Sequence, residues 1–105
     1  MSFKGISYTV NEIEESAFFS CMNITSVTLP NSITVIPNAA FKGCDALQTI
    51  TLPSSLTKIG TEAFGYCANL QSINLPSTLT EMGDYAFNSC YVLISVPLKW
   101  DEFKY

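Results

Sequence analysis

Apolar residues recur along this chain every 23 positions. Stepping from Phe41 in both directions reaches Phe18, Phe64 and Phe87. Ala17, Ala40, Ala63 and Ala86 stand immediately before them, and Cys21, Cys44, Cys67 and Cys90 three residues after. Further columns follow: Ile24, Leu47, Leu70 and Leu93; then Val27, Ile50, Ile73 and Val96; then Leu29, Leu52, Leu75 and Leu98. Val10, Ile33, Leu56 and Leu79, with Ile13, Ile36, Ile59 and Met82, complete the set. No insertion or deletion disturbs the step, so the chain divides into four units, 6–28, 29–51, 52–74 and 75–97. A fixed period of this length marks an architecture in which each unit buries its apolar residues against the next.

Within a unit the pattern assigns elements. The stretch Leu47-Gln48-Thr49-Ile50-Thr51-Leu52 has the L-x-x-L-x-L form of a leucine-rich repeat strand. Alternation turns Ile50 and Leu52 inward and Thr49 and Thr51 outward. Pro30, Pro53 and Pro76 follow and end the strand, because proline has no N–H for the ladder. A second short extended piece carries Leu56 and Ile59, and the chain then turns at Pro37, Gly60 or Gly83. After the turn stands the column Asn38, Thr61 and Asp84, all good helix N-caps, with Glu15 in the first unit. The apolar spacing of Ala63-Phe64-x-x-Cys67-x-x-Leu70 then reads as one or two helical turns.

The expected fold is an α/β solenoid. Four stacked repeats form a right-handed leucine-rich-repeat coil, with short parallel strands on the concave face and short helical turns on the convex face. The whole chain, 1–105, is one domain. Glu12, Glu14 and Glu15 mark a solvated first unit, Pro97 blunts the last, and 98–105, with Trp100, Phe103 and Tyr105, forms an aromatic lid.

Composition narrows the function more than the fold. The chain has no histidine and no arginine; its five positive charges are Lys4, Lys42, Lys58, Lys99 and Lys104. Imidazole proton transfer and bidentate anion clamps are therefore absent. A net charge of −4 disfavours nucleic acid and anionic membrane surfaces. No run approaches the about 18 apolar residues of a spanning helix, so no membrane insertion is expected. Nothing in the chain points to catalysis: the acidic run at Glu12–Glu15 reads as a solvated face and Asp84 as a cap. No cofactor is expected. The four cysteines fall in a row at the repeat step without a CxxC pair, a pattern that reads as buried core thiols and not as a metal site or disulfide framework.

The phrase running from Leu52-Pro53-Ser54-Ser55-Leu56 through Ile59-Gly60-Thr61-Glu62-Ala63-Phe64 to Cys67-Ala68-Asn69-Leu70-Gln71-Ser72-Ile73 resembles the BspA-like leucine-rich repeat, a class with a 23-residue step. The resemblance covers residues 6–97. It implies a repeat protein of the surfaces of host-associated bacteria and some parasitic protists, used for adhesion to host matrix proteins and to other microbes. Buried cysteines at this position are part of the same pattern. Members are typically longer, with export and anchoring regions. The implied location is the cell surface or outside the cell if the chain belongs to a longer protein, and the cytoplasm if it is complete. Where ordinary leucine-rich repeats carry an asparagine ladder, this chain has Ser32, Ser55 and Thr78, whose hydroxyls offer fewer bonds.

The concave strand face is the candidate binding surface. Its outward columns are Thr25, Gln48, Gln71 and Ile94; Ser26, Thr49, Ser72 and Ser95; and Thr28, Thr51, Asn74 and Pro97. Gln48, Thr49, Thr51, Gln71, Ser72 and Asn74 are the residues expected to touch a protein or glycoprotein partner. The competing reading is a solubilising surface; ice binding is a distant third, since only Thr49-Ile50-Thr51 has the full Thr-x-Thr form. A second hydroxyl row, Thr34, Thr57 and Thr80, with Asn11, reads as a hydrogen-bonded ladder. Tyr66, Tyr85 and Tyr91 interrupt their columns and are expected near the convex side. Asn23-Ile24-Thr25 is a glycosylation sequon of the frequency chance produces. The structural alternative to a binding module is a spacer that self-associates weakly end to end through the 98–105 lid.

Overall fold

The computed structural model describes residues 13–93; Val10, Asn11, Glu12, residues 94–97 and the 98–105 lid lie outside them. Among the described residues six short strands form two parallel sheets. The first holds β1 (Ser26–Thr28), β3 (Thr49–Thr51) and β5 (Ser72–Ile73), in that order. The second holds β2 (Val35–Ile36), β4 (Lys58–Ile59) and β6 (Glu81–Met82). Register follows the repeat: Val27 pairs with Ile50 and Ile50 with Ile73, while Ile36 pairs with Ile59 and Ile59 with Met82. Like therefore lies on like. β-Branched residues fill the inward position of the first sheet, where the pleat packs them against one another. Alternation holds in β3, with Ile50 buried between exposed Thr49 and Thr51. Leu29 is buried, but Leu52 and Leu75, expected inside, are only half-buried against the core.

The core is a set of ladders between the sheets and the third side of each unit. Phe18, Phe41, Phe64 and Phe87 stack with ring centroids 5.1, 5.4 and 5.6 Å apart and planes within 6° of parallel. Such offset, parallel rings attract beyond their buried area. Ala40, Ala63 and Ala86 are buried beside them, as are Ile24, Leu47, Leu70 and Leu93 at the other end. Among the described residues no polar or charged side chain is buried.

The third side departs from expectation. No helix forms there among the described residues; 15–20, 38–43, 61–66 and 84–89 are chains of tight turns. Alternate N–H groups take different partners. Those of Ala39, Phe41 and Gly43 donate to Thr61, Ala63 and Gly65 of the next unit, while those of Ala40, Lys42 and Cys44 donate back three residues to Pro37, Ala39 and Phe41. Ser16, Phe18 and Ser20 repeat the inter-unit pattern one unit earlier, and Glu62, Phe64 and Tyr66 one unit later.

The reason is spacing. An α-helix with side chains is about 10–12 Å across, whereas the ring stack advances only 5.1–5.6 Å per unit. Helices cannot stack at that rise; turns that share hydrogen bonds with neighbours can.

The turns need left-handed backbone at two columns. Ser16, Ala39, Glu62 and Tyr85 have φ of 56–59°, and Ser20, Tyr66 and Ser89 are alike, with Gly43 at 77°. Each non-glycine there carries a steric cost of about 1–2 kcal/mol, offset by the inter-unit bonds. Asn38, expected to cap a helix, instead bridges units. Asn38 Oδ1 accepts from the Thr61 N–H at 2.8 Å, and Asn38 Nδ2 donates to Glu15 at 3.3 Å. Gly60 and Gly83 are needed for a different reason: a Cβ on Gly60 would lie 2.6 Å from the Asn38 backbone nitrogen, and one on Gly83 would strike the backbone of Gly60 and Thr61.

Candidate functional site

Three rows of side chains are candidates for recognition, and their hydrogen bonding separates them. The first is the cysteine row. Cys44, Cys67 and Cys90 are buried and Cys21 is half-buried; all four are free thiols. Their S–H groups donate to carbonyls one unit back: Cys44 to Phe18 at 2.9 Å, Cys67 to Phe41 at 3.1 Å and Cys90 to Phe64 at 3.0 Å. Burial pushes the Cys44 thiol up to about 12 and Cys90 to about 11, and raises Cys67 as well, with Cys90 and Cys44 beside it adding to the effect. A thiol that resists ionisation is neither a nucleophile nor a ligand. Three of the four match the expected core role fully, and Cys21 in part.

The second comprises the hydroxyl rows around the second sheet. Ser55 Oγ donates to the Ile33 carbonyl at 2.9 Å and Thr78 Oγ1 to Leu56 at 2.7 Å, so the hydroxyls in the asparagine position bind neighbouring backbone. Thr57 Oγ1 donates to Thr34 at 3.1 Å and Thr80 Oγ1 to Thr57 at 3.3 Å, the ladder expected of that row. These side chains hold units together and are spoken for.

The third is the outward face of the first sheet, and it differs. Ser26, Thr49 and Ser72 are register partners, as are Thr28 and Thr51. Gln48 and Gln71 precede β3 and β5, joined by a Gln71 N–H bond to the Gln48 carbonyl at 3.1 Å. Asn74 follows β5, one residue beyond its end. All six expected residues, Gln48, Thr49, Thr51, Gln71, Ser72 and Asn74, are exposed. None of their side chains makes a hydrogen bond among the described residues.

Charge is arranged around this face and not on it. The described ionisable carboxylates and amines are Glu14, Glu15, Lys42, Asp45, Lys58, Glu62, Glu81 and Asp84. Lys58 and Glu81 lie on the second sheet, 4.0 Å apart, and the others lie in or beside turns. The exposed large apolar side chains, Phe19, Met22, Val35, Tyr66, Tyr85, Tyr91 and Val92, are also elsewhere.

A cluster on the turn side escaped sequence reading. Lys42 Nζ lies 3.1 Å from Glu62 and 5.8 Å from the centre of the Tyr66 ring. Column order held the signal, since Lys42 stands one unit before Glu62 and three columns along, but only the turn geometry brings them together. The tyrosines are exposed, Tyr66 and Tyr85 on that side as expected; the exposure of Phe19, Met22 and Val92 was not anticipated.

This geometry can be set against known proteins. The family described as BspA type leucine rich repeat region (6 copies) matches residues 3–102. The chain belongs to that family. Its description counts six copies, whereas the 23-residue step divides 6–97 into four units. Three solved structures are similar. The Treponema pallidum leucine-rich repeat protein TpLRR is 34% identical, with a TM-score of 0.81 over 88% of this chain and 47% of its own. A leucine-rich cell surface protein from Faecalibacterium prausnitzii A2-165 is 36% identical, with a TM-score of 0.73 over 76% of this chain and 21% of its own. A leucine-rich repeat protein from Bacteroides ovatus ATCC 8483, 23% identical with a TM-score of 0.58 over 83% and 29%, shares the fold. The chain thus spans half or less of the length of these proteins. No curated protein matches it. Among the described residues no helix is long and apolar enough to cross a membrane.

Proposed function

We propose that this chain is a non-catalytic recognition module of a cell-surface leucine-rich repeat protein, a right-handed solenoid of four coils. It binds a protein or glycoprotein through the Ser/Thr/Gln/Asn face of its first sheet. One observation carries the reading. The hydroxyls of Ser55, Thr57, Thr78 and Thr80 join units, yet Gln48, Thr49, Thr51, Gln71, Ser72 and Asn74 are exposed with no hydrogen bond among the described residues. Polar groups left over in regular rows are groups available to a partner. The family and the Faecalibacterium prausnitzii surface protein support a surface setting.

The test is a double variant, Thr49→Lys with Ser72→Glu, assayed against immobilised host matrix glycoproteins beside the unaltered chain. Its thermal midpoint should stay unchanged, because neither side chain is packed, while binding disappears. Full binding by the folded double variant rejects this face as the recognition surface.

A further inference from the structure

The turns that lead from each second-sheet strand to the next first-sheet strand carry what the first sheet lacks. All the exposed large apolar side chains except Val35 stand in them. All the described carboxylates except Glu81 lie in or beside them, against a single amine, Lys42. Exposed aromatic and methionine side chains are the residues that protein interfaces favour.

Lys42 shows what rings and carboxylates hold when they come together. Its ammonium lies 3.1 Å from the Glu62 carboxylate and 5.8 Å from the centre of the Tyr66 ring. A cation in that position is attracted by the charge and by the ring face together. The fourth unit presents the same two kinds of group without the cation. Asp84, Tyr85 and Tyr91 are exposed, Tyr91 to 76%, and Asn88 stands in the column of Lys42. Among the described residues, Asp84, Tyr85 and Tyr91 enter no ion pair or ring contact.

We infer that the turn side is a second docking surface, and that its partner is a basic protein segment. Lysine or arginine side chains of that segment pack on Tyr85 and Tyr91 beside Asp84, as Lys42 packs on Tyr66 beside Glu62. This surface goes beyond the first-sheet reading and does not depend on it.

Charge selects the occupant. An acidic segment would meet Asp45, Glu62 and Asp84 and be repelled, and a neutral one would draw nothing from them. Arginine fits best, because one planar guanidinium can stack on a ring and bond a carboxylate at its edge.

The experiment is calorimetric titration of the intact chain with a synthetic peptide of alternating arginine and glycine, the glutamate–glycine counterpart serving as control. The arginine peptide should bind, and less tightly as salt rises, since exposed charges are screened. The repeat itself supplies tolerated substitutions. Ala39 occupies the column of Tyr85 with φ of 57° against 59°, Ala68 occupies that of Tyr91, and Asn38 that of Asp84. Tyr85→Ala with Tyr91→Ala should therefore keep its thermal midpoint and weaken binding about tenfold. Asp84→Asn should weaken it about two- to fivefold. Glu81→Gln removes the same charge from the second sheet and should leave binding unchanged, as should Thr49→Lys with Ser72→Glu.

Equal losses in Asp84→Asn and Glu81→Gln would reduce the attraction to net charge and overturn the assignment. Full binding by the tyrosine double variant, binding of the glutamate peptide, or no binding of the arginine peptide would overturn it too. Loss in Thr49→Lys with Ser72→Glu alone would move the basic partner to the first sheet. If the tyrosine variant loses stability, the contrast between Asp84→Asn and Glu81→Gln still decides.

Discussion

The turn side and the first sheet are built on the same 23-residue step and put it to opposite uses. On the turn side the Phe and Cys columns and half of the N–H groups face the neighbouring unit. Phe41, Phe64 and Phe87 are fully buried in one stack, the thiols of Cys44, Cys67 and Cys90 donate one unit back, and alternate N–H groups cross between units. On the first sheet the backbone and the inward Val27–Ile50–Ile73 ladder are so committed, while Gln48, Thr49, Thr51, Gln71, Ser72 and Asn74 stay exposed. One side holds the stack and the other side can vary. A repeat must satisfy its own neighbours before it can face a partner, and here the two duties fall on different columns.

The sharpest way to break this contrast is Phe64→Ala. Phe64 lies between Phe41 and Phe87 at 5.4 and 5.6 Å, and truncating a buried Phe costs about 3–5 kcal/mol. Urea unfolding should show that loss in full. A cost near that of a surface change would mean the stack is not held by this ladder.

Gly83→Ala probes the close approach of backbones. The new Cβ meets the backbone of Gly60 and Thr61, which cannot swing aside as a side chain can. We expect a loss of about 1–3 kcal/mol. Gly43→Ala tests a different term, a left-handed φ of 77° with only the movable Ser20 hydroxyl 2.9 Å away. Its cost should be smaller, about 1 kcal/mol.

The thiol row makes stability depend on alkaline pH. Folding holds Cys44 at about 12 and Cys90 at about 11, against an ordinary 9.0. The folded protein keeps protons that the unfolded chain loses, so the thiols weaken stability only as pH rises from about 9 through the folded values. Below that range both states are protonated and the curve is flat. Thermal midpoints measured across this window should fall, and fall less in a Cys44→Ala, Cys90→Ala variant compared with its own value at neutral pH. In native protein at neutral pH, iodoacetamide should modify half-buried Cys21 first, as mass spectrometry of tryptic peptides would reveal.

Ala39→Gly should move stability the other way. Ala39 has φ of 57°, a conformation glycine adopts without the Cβ penalty, and a gain of about 0.5–1 kcal/mol is expected. The smallest effect belongs to the other side: Thr49→Ala and Ser72→Ala should each stay within about 0.5 kcal/mol. A larger loss would show that these hydroxyls belong to the structure after all.

Particular residues show how far the chain could be read before folding. Val27, Ile50 and Ile73 announced both the strands and their register, because a fixed step with an inward apolar residue leaves a single in-step pairing. The outward positions of Thr49 and Thr51 followed from alternation alone. Thr57 is recognisable as a ladder residue from its column, and its bond to Thr34 agrees; Ser55, in the asparagine column and expected to bond less, donates to the Ile33 carbonyl. The turn side departs from the sequence pattern. Asn38, Thr61 and Asp84 look like N-caps, and Phe64, Cys67 and Leu70 look like one face of a helix. Those three are spaced strictly by three, however, and the N–H groups of Cys67 and Leu70 do donate back by three residues. A helix would have mixed threes and fours.

What the sequence by itself determined is the stacking: which columns are buried, which residues pair, and which side chains of the first sheet face outward. A 23-residue period of apolar residues can be satisfied only by laying each unit on the next in step. What the tertiary structure alone decided is how each unit closes and which hydroxyls remain unused. Residues 61–66 turn instead of forming a helix because the neighbouring unit is only about one strand spacing away and accepts half their N–H groups. Thr57 and Thr49 are both exposed threonines, yet the carbonyl of Thr34 lies within reach of the Thr57 hydroxyl and none takes that of Thr49. No local pattern of residues records that difference, because it depends on where the next unit places its backbone.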